Sequence, residues 1–226
     1  MGSARFGTYR TGGAEEPLIA RGPESGWRVL IVPPLFEEAN RCRALLAELQ
    51  RLLAADRIGS ALIDLPGTGD SERALDAIVL EDWIAAVAAA AAAVGPDVVI
   101  GSVRGGALLD GEAQARGRWR FSPVDGAALL RDLDRAQQIA AKRDGIPADG
   151  VRAGYPISDH LAQGLAAAKP RAGSPVHTVR LESEAAAADA RVAGPPLWRR
   201  PEPEQDLALA ARLASDLVSW VRTCGG

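Results

Sequence analysis

An apolar β-rich run at residues 98–100 leads into Gly101-Ser102-Val103-Arg104-Gly105-Gly106 and then into a further apolar stretch. A strand, a sharp glycine turn and a helix start, in that order, form the device that presents a catalytic nucleophile, usually spelled G-x-S-x-G. This turn is spelled differently. Its strained backbone and the close pass of the following helix demand small residues two before and two after the tip. Gly101 and Gly105 in those places put Val103 at the tip, whereas Ser102 and Gly106 put Arg104 there. For Ser102 to be the nucleophile, Ile100 and Arg104 would have to occupy the positions that need little side chain.

A serine at such a turn also needs a base and an acid, because the free hydroxyl is weakly nucleophilic at neutral pH. In the usual chain order the acid follows the nucleophile and the histidine comes last. Glu182 and Glu184, after a predicted strand at 176–181, fill the acid slot. The base should fall within 194–204, and that segment, GPPLWRRPEPE, contains no histidine. The two histidines of the chain, His160 and His177, both precede it. His177 sits inside a predicted strand, and His160 opens a predicted helix capped by Ser158 or Asp159.

Two chemistries follow. One is a serine-dependent ester hydrolase or acyltransferase using Ser102, His160 or His177, and Glu182 or Glu184. In the other, Arg104 projects inward to meet Glu37, Glu38 or the carboxylate after the penultimate strand. A guanidinium is a rigid, permanently charged fork suited to a carboxylate, whether an internal glutamate or a small anionic ligand. Asn40 either orients the Glu-rich loop or caps the next helix. Trp198 either lines a pocket for an acyl or sugar group or plugs the space of the missing histidine.

The elements that must position these residues alternate in type. Strands are predicted at 27–32 (WRVLIV), 60–65, 98–100, 119–121, 176–181 and 190–193. Helices are predicted at 38–55, from Leu80 to Val94 with Gly95-Pro96 as the stop, and at 106–115, 125–142 and 205–221. The helix at 38–55 repeats Leu45, Leu46, Leu49, Leu52 and Leu53 at three- and four-residue steps. Such alternation implies right-handed βαβ units and a mostly parallel, doubly wound sheet with helices on both faces. Residues 147–175, rich in Gly, Pro and Ala, read as a lid or excursion, and the composition of residues 1–15 allows disorder.

The 226 residues suit one α/β domain. With 26 basic and 29 acidic residues the net charge is −3 and neither sign forms a block, which argues against nucleic acid or an anionic membrane as partner. No apolar run reaches the ~20 residues of a membrane span. The first twenty residues lack the apolar core of a signal peptide, and Cys42 and Cys224 have no partner at metal-ligand spacing, so a cytoplasmic protein with reduced thiols is expected. The DLPGTGD segment lacks the spacing and lysine of a phosphate loop, and 101–106 is not G-x-G-x-x-G. Neither a metal nor an organic cofactor is expected.

Six blocks together carry a resemblance: PPLFEEANR at 33–41, DLPGTGDS at 64–71, VRGGALL at 103–109, PVDG at 123–126, GYPIS at 154–158 and GPPLW at 194–198. The chain resembles the α/β-hydrolase-like proteins called exosortase A system-associated hydrolases, type 2. The resemblance implies an α/β-hydrolase-like fold, an arginine rather than a serine at the elbow, and occurrence beside bacterial exosortase and exopolysaccharide-export genes. It favours Arg104 at the tip. It leaves open whether the protein is an atypical hydrolase or a non-catalytic binding partner.

Overall fold

The continuous apolar runs of the sequence become the middle of a sheet, as expected for strands covered on both faces. A computed structural model describes residues 3–144, 151–173 and 175–225. The parallel strands are β3 (Arg28–Val32), β4 (Gly59–Ile63), β5 (Val98–Val103), β6 (Gly117–Phe121), β7 (Val176–Leu181) and β8 (Ala190–Val192). A hairpin of β1 (Arg5–Thr11) and β2 (Ala14–Arg21) joins them antiparallel through β2 and β4. The order across the eight-stranded sheet is β1-β2-β4-β3-β5-β6-β7-β8.

Alternation along β3 and β5 sends side chains to two separate cores. Leu30, Val32, Val98 and Ile100 face α2 (Leu80–Val94), α3 (Gly126–Asp144) and α4 (Asp159–Ala167). Val29, Ile31, Val99 and Val103 face α1 (Glu37–Ala55) and α5 (Leu207–Thr223). Trp83 of α2 is fully buried and its indole N–H donates to the Pro66 carbonyl at 2.8 Å, tying the DLPGTGDS turn to the first core. Leu45, Leu49 and Leu53 of α1 lie with Leu213 and Leu217 of α5 in the second.

Three segments differ from their sequence expectations. Within residues 1–15, Arg5–Thr11 is a strand and Ala14 opens the next, so most of the segment is ordered as half of the hairpin. Gly12 and Gly13, with φ of 57° and 81°, supply the two left-handed positions of its tight turn. Tyr9 anchors it, donating to the Asp64 carbonyl at 2.7 Å. The helix expected at 106–115 is instead a short 3-10 turn, Arg104–Leu108. Gly105 and Gly106 favour helix poorly, and Asp110 is drawn inward to bind Ser102 and Arg120. Of the expected lid at 147–175, residues 147–150 and 174 lie outside those described. The remainder contains α4, whose N-cap Ser158 accepts the Leu161 N–H at 3.1 Å, and α4 buries Leu161 and Leu165 in the first core.

Candidate functional site

Strand β5 ends at Val103, and Arg104 takes the left-handed conformation with φ 53°. For a bulky non-glycine residue that backbone is strained, and it is the geometry expected of an elbow tip. Gly106, two residues on, is required by contact: a Cβ there would stand 2.5 Å from the Pro33 oxygen and 2.8 Å from that of Val32. Ser102 belongs to the strand and pairs with Val32 and Arg120.

The Arg104 side chain turns inward and is 6% exposed. Its Nε and Nη2 donate to the Glu38 carboxylate, at 3.2 and 2.9 Å, and Nη1 donates to the Ser122 carbonyl at 3.2 Å. The guanidinium carbon stands 4.4 Å from the centre of the Trp198 ring, a cation–π distance. Edge and face of the cation are thus both covered. Arginine stays protonated, so this tip can clamp but cannot attack.

Each partner arrives on its own element. Phe36, at φ 58°, turns the chain after β3 so that Glu37 and Glu38 enter the first turn of α1, where the helix dipole favours negative charge. Burial pushes the Glu38 carboxyl above its ordinary value, and the Arg104 charge offsets this only in part. Ser122 follows β6 at φ 47°, its hydroxyl donating to Glu184 at 2.5 Å. Glu184 also accepts the Leu181 N–H at 2.9 Å and pairs with Arg180 at 3.3 Å. Trp198 lies in the 3-10 turn Leu197–Arg199 after β8, its carbonyl accepting from Arg41 at 2.9 Å and its ring edge-on to Phe121.

Around this buried clamp runs a more open polar rim. Glu37 accepts from Tyr155 at 3.3 Å and from Asn40 at 3.4 Å, and pairs with Arg41 at 3.7 Å. Burial and the neighbouring Glu37 carboxylate push the Tyr155 hydroxyl up to about 12. Tyr155 also packs edge-on against Phe36, with ring centres 5.2 Å apart.

The remaining sequence candidates sit elsewhere. Ser102 is fully buried and donates to Asp110 at 2.9 Å; Asp110 is in turn gripped by Arg120 at 2.9 and 2.6 Å. His177 pairs with Asp216 at 3.1 Å and stacks on Trp220. That Asp216 also accepts the indole N–H of Trp119 at 2.6 Å. His160 and Glu182 are exposed. Arg104, Glu38 and Trp198 come together directly, Glu37 and Asn40 lie on their rim, and Glu184 joins through Ser122. Sequence reasoning does not single out Ser122, Arg41, Arg180 or Tyr155. Arg41 and Tyr155 lie within quoted sequence blocks, but Ser122 acts partly through its carbonyl, which residue type cannot reveal. Among the described residues no group of His, Cys, Asp and Glu is placed to hold a metal ion, and no helix is long and apolar enough to cross a membrane.

This sheet order, with a left-handed tip after β5 and site residues at the carboxyl ends of the strands, is an α/β-hydrolase fold. Solved structures agree with it over almost the whole chain. Est1E from Butyrivibrio proteoclasticus, solved with ferulic acid bound, has a TM-score of 0.67 at 13% identity, covering 95% of this chain and 99% of that one. A proline iminopeptidase-related protein from Thermus thermophilus has a TM-score of 0.64 at 17% identity, covering 98% of each. A thermophilic esterase from Thermogutta terrifontis has 0.60 at 13% identity, covering 98% and 99%. No protein-family model matches the sequence, and no curated protein is similar to it.

Proposed function

We propose that this protein is a degenerate α/β-hydrolase, a single-domain cytoplasmic component of an exosortase-associated exopolysaccharide system that acts by binding rather than by acyl transfer. The observation that carries the reading is the occupation of the elbow tip by Arg104, held by Glu38, Ser122 and Trp198 together. The nucleophile position has become a clamp that joins the first loop of the site to the last. Trp198 fills the loop where the base would be. Any acyl or sugar ligand at this end would meet the rim of Glu37, Asn40 and Tyr155, because the buried cation is already engaged.

A serine-dependent mechanism would need Ser102 to leave its bond with Asp110, and His177 to leave Asp216. The test is release of p-nitrophenol from p-nitrophenyl butyrate by the wild-type protein and by Ser102→Ala. Both should match buffer alone. Turnover above buffer that disappears with Ser102→Ala would overturn the proposal.

A further inference from the structure

A second site lies at the opposite end of the sheet. Between the β1–β2 hairpin, the start of β3 and the end of α2 runs a groove of about 360 Å³, within the size range of small-molecule sites. Its apolar surface comes from Phe6, Leu18 and Val94, with Ala20, Ala61 and Ala93 between them. These alanines are too short to fill the space. Phe6 is 84% exposed, an unusual cost for a ring with no partner.

The charged lining is asymmetric. Arg5 is spent on Glu24 at 3.0 Å and on the Gly22 carbonyl at 3.1 Å. Arg28 has no such partner: its Nε is buried without an acceptor, and among the described residues no carboxylate lies within ion-pair distance of its guanidinium. Nη2 of Arg28 lies over Gly95, in the space a Cβ there would take. The cation thus stands at the carboxyl end of α2, where the helix dipole favours it. A cation so placed without a counter-charge among the described residues, beside unfilled apolar space, is complementary to a small amphiphile with an anionic head.

We propose that this groove binds a small monocarboxylate, its carboxylate on Arg28 and its apolar chain along Phe6, Leu18 and Val94. The site is separate from the elbow and independent of whether the elbow is catalytic. The test is an amide chemical-shift titration of the full chain with hexanoate, using 1-hexanol as the uncharged control. Hexanoate should shift the amides of Gly7 and Ala93, with hexanol at least about tenfold weaker, since a hydrogen bond between charged groups is worth that much. Arg28→Gln should weaken hexanoate at least about tenfold, and Ala93→Leu, on the exposed side of α2, should abolish binding by filling the groove. Absence of shifts at these amides, equal affinity for hexanol, or unchanged binding in Ala93→Leu would each overturn the proposal. Ala93→Leu tests the apolar half of the groove independently of Arg28.

Discussion

The two ends of the parallel strands each carry an arginine, and the protein treats them oppositely. At the carboxyl end Arg104 is surrounded by a carboxylate, a carbonyl and an indole face. At the amino end Arg28 lies over Gly95 with its Nε unpartnered and, among the described residues, no carboxylate beside it. A cation whose hydrogen-bonding directions are internally satisfied contributes to the shape of the fold, whereas one left unmatched is available to something else. The end where hydrolases place their chemistry is here the closed one.

Breaking the closed end should cost most. Arg104→Met leaves Glu38 buried without its partner and should destabilise the protein by about 3–5 kcal/mol in denaturant unfolding. Adding Glu38→Leu should restore much of that loss, because two apolar groups replace a buried pair more cheaply than one stranded charge. If the double variant is no better than the single, the pair is not the unit that matters. Trp198→Leu keeps the pair but removes the aromatic face over the cation together with the edge contact to Phe121, and should cost about 2–3 kcal/mol.

Cys42, one turn along α1 from Glu38, sharpens the comparison as a reporter. Burial, reinforced by the Glu38 charge, pushes its thiol up to about 12 from an ordinary 9.0. Its folded value is raised, so its contribution to stability is complete below pH 9.0 and is lost as pH climbs towards 12. Stability should fall by about 1 kcal/mol between pH 8 and 10 from this group, and Cys42→Ala should flatten that slope. Iodoacetamide at pH 8 should spare Cys42 in the wild type and reach it faster in Arg104→Met. The smallest effect belongs to the open end: Arg28→Gln should change stability by no more than about 0.5 kcal/mol.

The central strands were legible because burial on both faces writes itself as unbroken apolar sequence, as in 98–100. The β1–β2 hairpin was not, since an edge strand buries few of its residues and here carries Arg5, Arg10 and the exposed Phe6 among glycines. At the elbow, steric demand narrowed the tip to Val103 or Arg104, and the structure places the left-handed residue at Arg104. Glu38 and Trp198 could be picked out by their loops, one after β3 and one after β8. Asp110 could not, because a helix was expected to run through it. Its inward turn depends on Arg120 and Ser102 on neighbouring strands, a three-way contact that no single stretch of sequence contains.

The clamp also has a place in time. Glu38 and Arg104 are 66 residues apart, Ser122 and Glu184 are 62 apart, and Arg41 reaches the Trp198 carbonyl across 157. Closing loops of that length is entropically costly and slow, so such contacts form after the local helices and neighbouring strands. During synthesis α1 and the elbow emerge well before the 197–199 turn that covers them. Until that turn arrives, the Arg104 ring-facing side has no cover and Arg41 has no acceptor there. A chain stopped before residue 197 would lack both the Trp198 face over Arg104 and the acceptor for Arg41, which makes the fully covered elbow a mark that folding has passed the final strand.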